Sequence, residues 1–181
     1  MHGQRGEITF SFDMRSLPAI LLACALLYAG CDTGLTPLDE PTGIGGIIRF
    51  TNWPPPDSCR QIRLVAFETY PSDSANVLLS LINGKAIVYP ATLTGTGLER
   101  FVDSLSYEWL SKNTNLQVKK YDYFVVGWQY GPNIFTDWAP AGVFSAAPNS
   151  FDPAPVRVLL HRIARVDINV DFHNPPPKPW R

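Results

Sequence analysis

The hydrophobic and polar positions of this chain divide it into three zones. Residues 16–30 are uncharged and mostly apolar, whereas residues 32–46 are polar, rich in glycine and proline, and without a period. From Ile47 onwards, short apolar runs alternate with polar positions and are interrupted by proline. A period of two is typical of strands with one buried face, and proline ends strand pairing because it has no amide hydrogen to donate. This third zone therefore predicts short β-strands joined by proline-rich turns.

The strand pattern is clearest in two places. Residues 117–130 carry apolar side chains on both faces, which predicts a central strand covered from two sides. Residues 165–172 alternate between apolar and polar, which predicts a half-buried antiparallel strand. The other predicted strands are residues 47–51, 61–68, 86–89, 104–109, 142–145 and 156–160.

One helix is predicted, between residues 72 and 84. Its apolar residues recur at helical spacing, Ser74 is the predicted N-cap, and Asn83-Gly84 is the predicted stop. Residues 92–97 are predicted to form a loop. The fold class that follows is all-β: an antiparallel β-sandwich of about seven short strands with one short helix, spanning residues 47–173. The proline-rich tail at 174–181 cannot pair and is expected to be extended or disordered.

Composition agrees with a β-rich domain and excludes one class of partner. Aromatic residues make up 12% of the chain and charged residues only 17%. The 15 Lys and Arg residues nearly balance the 16 Asp and Glu residues, and no basic block occurs. Nucleic-acid binding needs a basic patch or stripe, so no nucleic-acid partner is expected.

The first zone has the order of a secretory signal peptide, predicted for residues 1–30. Arg15 precedes the apolar run, which is too short for a membrane span of about 20 residues. Glu7 and Asp13 offset the basic residues before the run, whereas a start at Met14 would leave a positively charged N-terminus. We therefore expect translation to begin at Met14, with Met1 as the alternative.

Ala29, Gly30 and Cys31 resemble the lipobox of bacterial lipoproteins, with Tyr28 at the position that is usually aliphatic. The resemblance implies that Cys31 is acylated and that residues 31–46 tether the domain to a membrane. It also implies an exported protein of the bacterial cell envelope. We favour the outer membrane, and the alternative is the inner membrane, because Asp32 directly after Cys31 matches an inner-membrane retention signal of enteric bacteria. The alternative is an ordinary cleavage site, which would leave Cys31 as a small unmodified residue.

The strand at 120–126 (Lys-Tyr-Asp-Tyr-Phe-Val-Val) and the closing Val-Asp-Ile-Asn-Val strand resemble transthyretin-like and carboxypeptidase-regulatory-like sandwiches. The resemblance covers residues 45–172. It implies a binding or spacer module that carries no catalytic residues.

The sequence contains none of the usual catalytic strings, so we expect no enzyme activity and no cofactor. Asp167, Asn169, Asp171 and His173 are interpreted as a solvated strand face rather than a metal site. Phe172 stands where a calcium loop requires glycine. Cys59 is interpreted as a small buried residue rather than a reactive one.

The remaining candidate site is aromatic. Trp128, Tyr130, Phe135 and Trp138 lie around a Gly-Pro turn, and aromatic faces beside polar groups often hold sugars or peptides. The alternative is that these rings fill the end of the core while Asp137 caps the loop. The predicted function is a lipid-anchored, non-enzymatic envelope module that binds or scaffolds a glycan, peptide or envelope protein. The alternative function is a carbohydrate-binding accessory lipoprotein that uses Trp128, Tyr130 and Trp138 as its platform.

Overall fold

A computed structural model describes residues 40–91, 97–147 and 150–179 of the 181-residue chain. The predicted signal peptide, Cys31 and the tether up to residue 39 lie outside the described residues. So do residues 92–96 of the predicted loop and the last two residues of the tail.

Ten strands and one α-helix form the secondary structure of the described residues, together with 3₁₀ turns at Pro56–Ser58 and Ser111–Asn113. The helix α1 is Ser74–Ile82. The strands are β1 Gly43–Thr51, β2 Gln61–Phe67, β3 Ala86–Tyr89, β4 Ser104–Leu110, β5 Lys120–Tyr121, β6 Tyr123–Gln129, β7 Trp138–Val143, β8 Val156–Arg157, β9 Ile163–Arg165 and β10 Ile168–Asp171.

Two four-stranded sheets make up the sandwich, so the predicted all-β class is confirmed. Sheet A places β1 between β4 on one side and the successive strands β9 and β10 on the other. Sheet B has the order β3-β2-β6-β7, and β5 pairs with β8 in a small separate ladder. The predicted central strand is confirmed, because β6 pairs with β2 and with β7.

The predicted antiparallel pairing of the closing strand is wrong. Both β9 and β10 run parallel to β1, with Gly43 opposite Ile163 and Ile48 opposite Ile168. Alternation fixes which face of a strand is buried, and that part is confirmed, since Val166, Ile168 and Val170 are buried. The same alternation carries no information about the direction of a partner 120 residues away.

Most of the core lies between the two sheets. Its largest fully buried side chains are Trp109, Tyr121, Phe124, Ile44, Ile48, Ile62, Leu64, Ile168, Val126, Val158, Val166 and Val170. A second cluster covers part of the outer face of sheet B, where Val77 of α1 packs against Phe67, Tyr123 and Val143. Sheet B is thus covered on both faces, which explains why β6 is apolar on both sides.

The boundaries differ from the predictions in several strands, and the predicted 165–172 strand divides between β9, which ends at Arg165, and β10, which begins at Ile168. β1 begins at Gly43, four residues earlier than predicted, since glycines pass close to the neighbouring backbones there. The 117–130 stretch divides at Asp122, whose amide donates to Phe67 O rather than continuing the ladder. β7 begins at Trp138 within the passage predicted to be loop, and the 156–160 stretch forms only a two-residue strand.

The helix prediction is confirmed, but its N-cap is Asp73 rather than Ser74. Asp73 Oδ1 accepts a hydrogen bond of 2.8 Å from Asn76 N. The capping residue must have an extended backbone and reach the amide three residues ahead, and Asp73 does both. Gly84 follows the helix with a φ of +69°, as a glycine stop requires.

Candidate functional site

One end of the sandwich is lined by aromatic rings that come from four separate segments. β1 ends at Thr51, β6 at Gln129 and β10 at Asp171, and β4 begins at Ser104, so these termini meet at the same end. We call this the aromatic end. Its rings are Phe50, Trp53, Phe101, Trp128, Tyr130 and Phe172.

The six rings form a continuous series of contacts. Trp53 lies 4.6 Å from Phe172 and 5.1 Å from Phe101, measured between ring centroids. Phe172 lies 5.3 Å from Trp128, whose ring is 5.9 Å from Tyr130. Centroid separations of about 4.5–7 Å are those at which aromatic pairs attract one another. The series therefore behaves as one packed layer rather than as isolated side chains.

This layer has a buried floor and an exposed rim. Phe50 and Phe172 are buried, whereas Phe101 is 43% exposed and Tyr130 39% exposed. Phe101 has a φ of +62°, a conformation that bulky residues rarely adopt. An outlier of that kind persists only where its surroundings hold it, and such outliers concentrate at functional sites.

Two cations lie over the rim. The guanidinium carbon of Arg100 is 5.4 Å from the Phe101 centroid, and Lys178 Nζ is 5.5 Å from the Tyr130 centroid. Arg100 is held in place because its Nη1 donates to the carbonyls of Cys59 and Arg60. A cation over a ring face is attracted by the negative face of the ring. The rim thus combines exposed aromatic surface with positive charge.

Polar groups fix the backbone around the rings. Trp53 Nε1 donates to Val102 O over 3.0 Å, and Asn52 Nδ2 donates to Asp171 Oδ1 over 2.8 Å. The Asn52 bond, with the His173 amide as a second donor, holds the pKa of Asp171 below its usual range. Trp128 Nε1 is buried and has no partner among the described residues. A buried donor without an acceptor destabilises the fold by about 1–3 kcal/mol.

The three residues of the predicted platform do not share one surface. Trp128 and Tyr130 belong to the aromatic end, but Trp138 pairs with Gln129 on the opposite face of sheet B. A Cβ placed on Gly127 would lie 3.6 Å from Cε3 of Trp138, so the Trp138 ring covers that glycine. Its Nε1 donates to Ile134 O within the β6–β7 turn.

The predicted alternative role of Asp137 is confirmed. Its Oδ2 accepts from Asn133 N over 2.8 Å and its Oδ1 accepts from the Thr136 hydroxyl, which closes the β6–β7 turn. Trp53, Phe101 and Phe172 were not among the predicted site residues. The sequence places Trp53 and Phe172 at or just after the ends of two predicted strands, but only the parallel pairing of β1 with β10 brings the two rings together.

A second set of polar residues is buried on the outer side of sheet B. Arg63 Nε donates to Gln61 Oε1 over 2.9 Å, while its Nη2 has no partner, and burial lowers its pKa. Gln129, which belongs to the strand next to that of Arg63, also leaves its Oε1 without a partner. Neither residue lines the grooves described below.

Two shallow grooves occur on the surface formed by the described residues. One, of about 460 Å³, lies over sheet A and is lined by Gly45, Ile47, Glu108 and Arg165 among others. The other, of about 350 Å³, lies beside Tyr89 and Asn113. Glu108 of β4 contributes to the lining of both grooves, and Ser106 of the same strand to the first.

The metal-ligating side chains of the described residues are not clustered. No three His, Cys, Asp or Glu side chains in the described ranges are grouped as a metal site requires. His161 precedes β9 and His173 follows β10, so the two histidines lie at opposite ends of sheet A. Cys59 is confirmed as a buried residue, and burial raises the pKa of its thiol to about 11.

No helix in the described ranges is long and apolar enough to cross a membrane. Comparison with protein-family models, with curated proteins and with solved structures found no match to this chain.

Proposed function

We propose that this protein is a lipid-anchored, non-enzymatic module of a bacterial cell envelope, and that its aromatic end binds a partner. Cys31 is the proposed lipid attachment site, after removal of residues 1–30. Residues 32–42 are the proposed link to the sandwich, and the outer membrane is the favoured location. The support for the anchor is the lipobox-like sequence alone.

The observation that carries the binding role is the exposed rim of the aromatic end. Phe101 and Tyr130 present ring faces that the domain does not bury, and Arg100 and Lys178 lie beside them. Aromatic and Arg side chains dominate the energetically important contacts of protein interfaces. The rim therefore suits a partner with apolar or planar groups and some negative charge.

The position of the rim supports the same role. β1 has nine residues and begins at Gly43, so its first residue lies about 27 Å from the aromatic end. The chain that follows Cys31 therefore enters the domain at the end remote from the rim. A module anchored at Cys31 would be attached at the end opposite the aromatic end, which leaves the rim accessible to a partner.

The anchor is tested by growing producing cells with an alkyne-tagged fatty acid and detecting label on the protein. We expect label on the parent chain and none on Cys31→Ser. Cys59→Ser is the matched control and should keep the label. A labelled Cys31→Ser variant would contradict the proposed attachment site.

The binding role is tested by placing a photocrosslinking amino acid at Tyr130 of the full chain in intact cells. We expect a discrete crosslinked product that disappears when Phe101→Ala is added, because the two positions contribute to one rim. The same amino acid at the exposed Phe151 is the control. Equal products from both positions, or no effect of Phe101→Ala, would contradict binding at the aromatic end.

A second candidate function is carbohydrate binding, and the Trp128–Tyr130 pair beside Lys178 favours it. Sugars bind where flat rings and oriented polar groups act together. A glycan array probed with the full chain tests this candidate. Binding should be lost in Tyr130→Ala and retained in Phe135→Ala and in Trp138→Ala, since Trp138 lies on the other face of sheet B.

A further inference from the structure

We infer that the end of the sandwich opposite the aromatic end rests on an anionic lipid bilayer. We call it the entry end, and define it by Gly43, the 159–162 turn, residues 111–121 and helix α1. This inference deepens the proposed lipid anchor and rests on it. The anchor alone brings the domain near a membrane, whereas the inference assigns the surface that touches it.

Two adjacent leucines project at the entry end. Leu160 is 66% exposed, and Leu159 beside it is also exposed. Their turn is fixed to the start of the domain, because His161 N donates to Thr42 Oγ1 and Gly43 N donates to Arg162 O. The leucines therefore lie next to the point at which the chain enters the sandwich.

The surface around these leucines is basic. Residues 157–165 contain three arginines, residues 111–121 contain three lysines, and neither stretch contains an acidic residue. The two stretches are neighbours, since β5 pairs with β8 and Val158 N donates to Lys119 O over 3.0 Å. Basic residues near a membrane surface are attracted by anionic headgroups.

The acidic residues facing this surface neutralise only part of it. Glu68 pairs with Lys119, Asp122 with Lys120, and Asp167 with Arg165. The remaining basic residues of the two stretches, Lys112, Arg157 and Arg162, form no ion pair with another described residue. These three positive charges are opposed in part by Glu40 before Gly43 and by Asp73 at the start of α1, so a net positive charge remains for the headgroups.

Helix α1, which packs on the outer face of sheet B, adds a second apolar element close to the same end. Strand β2 ends at Phe67, and the next residue, Glu68, forms an ion pair with Lys119 of the basic stretch. The helix is the next element after β2. The helix buries none of its residues, and its exposed apolar side chains are Leu78, Leu79, Leu81 and Ile82. Apolar side chains beside Lys and Arg are the composition of surfaces that lie in the headgroup region of a bilayer.

The length of the link permits this contact. Twelve peptide steps join Cys31 to Gly43, and a fully extended chain of that length reaches at most about 40 Å. A lipid on Cys31 would therefore keep the entry end within that distance of the headgroups at all times. Because the contact is then intramolecular, a weak affinity of the surface for lipid is enough to hold it down.

The test uses the full lipidated protein reconstituted into vesicles of phosphatidylcholine and phosphatidylglycerol, with an environment-sensitive dye on Leu160→Cys. The matched control is the dye on Ile134→Cys, a residue 56% exposed in the β6–β7 turn at the aromatic end. We expect brominated acyl chains to quench the dye at position 160 and to leave the dye at position 134 unquenched. Adding Ile82→Glu and Arg162→Glu should reduce the quenching at 160 several-fold, while Ile134→Glu should not. Unchanged thermal unfolding would show that the variants fold.

Each outcome decides the inference. If the protein floats with the vesicles but the dyes at both positions remain in water, the lipid anchor is supported and the docking surface is overturned. Protein that does not float would overturn the anchor and this inference together. A dye at position 160 that is already shielded in the unlipidated Cys31→Ser protein, in buffer without vesicles or detergent, would mean that a second copy covers the entry end, which also overturns it. Equal quenching on vesicles of phosphatidylcholine alone would overturn the anionic preference.

Discussion

At the scale of single residues, two side chains and one glycine hold sheet A together where β9 gives way to β10. Between β9 and β10, the carbonyl of Val166 accepts a hydrogen bond from the buried Tyr107 hydroxyl over 2.8 Å. The amide of Ile47 then donates to Asp167 Oδ1 over 2.9 Å. Gly46 leaves the space for this arrangement, because a Cβ on it would lie 2.0 Å from Val166 O. At this position, side chains form the hydrogen bonds that buried backbone N–H and C=O groups require.

We expect Asp167 to make the fold sensitive to acid. The Ile47 amide, together with Arg165, holds the pKa of the Asp167 carboxyl below its usual range. The stabilisation is complete above the unfolded value of about 3.9 and is lost as pH falls through the lower folded value. Asp167→Asn should therefore reduce the free energy of unfolding by about 1 kcal/mol at neutral pH, and by less in acid.

Urea titrations of the two proteins at neutral and at acidic pH measure this difference. The exposed Asp152→Asn is the control, because no hydrogen bond to its side chain occurs among the described residues. An Asp167→Asn protein with the same pH dependence as the parent would contradict the role of the carboxylate.

Gly46 and Gly127 form a matched pair for testing the close approach in sheet A. Gly46→Ala should reduce the free energy of unfolding by about 3 kcal/mol, since the contacted atoms are backbone and cannot rotate away. Gly127→Ala should change it by less than about 1 kcal/mol, because its new Cβ would meet Trp138 at an ordinary 3.6 Å. Thermal and urea unfolding measure the stability of both variants. Equal losses of stability would show that the backbone around Gly46 shifts to accommodate the new Cβ.

At the scale of secondary-structure elements, α1 depends on its cap more than on packing. Only Val77 of the helix packs against the described core, while the other apolar residues face outwards. A short helix with little packing is marginal in water, so local interactions at its ends decide whether it persists. Asp73 supplies that interaction at the N-terminus.

Asp73→Ala should therefore loosen α1, with a loss of about 1 kcal/mol in local stability. Ser74→Ala should have little effect, because the structure places Ser74 inside the helix rather than at its cap. Amide hydrogen exchange of residues 77–82 compares the two variants with the parent. Faster exchange in Ser74→Ala than in Asp73→Ala would restore the cap assignment made from the sequence.

At the scale of the whole molecule, the closing strand completes the sandwich. β10 pairs with β1 at the edge of sheet A, and its inward side chains pack against β7 of sheet B. A Cβ on Gly142 would come within 2.7 Å of Val170 Cγ2, so the two sheets approach closely there. Residues from the two ends of the described chain thus depend on one another for burial.

Ile168→Ala should reduce the free energy of unfolding by about 2–5 kcal/mol, as expected for a fully buried side chain. Because the core is shared by both sheets, tryptophan fluorescence and far-ultraviolet circular dichroism should report the same single transition. The exposed neighbour Asn169→Ala is the control, with a change within about 0.5 kcal/mol. Two separate transitions in Ile168→Ala would show that the sheets unfold independently.

The sequence by itself determined the properties that depend on neighbouring residues. Leu105, Tyr107 and Trp109 alternate with polar residues, and the strand that contains them was predicted with nearly its observed limits. The helix, the central place of β6 and the inward face of the closing strand were predicted for the same reason. The period of side chains along an element is a local property that a single sequence carries.

Only the tertiary structure decided which segments meet. The parallel pairing of β9 and β10 with β1 depends on hydrogen bonds between residues about 120 positions apart, and no pattern within one strand encodes that choice. The aromatic end follows from this pairing, because it brings Trp53 next to Phe172. The separation of Trp128 from Trp138 follows from the register of β6 against β7, which places paired residues on the same face and their neighbours on the other.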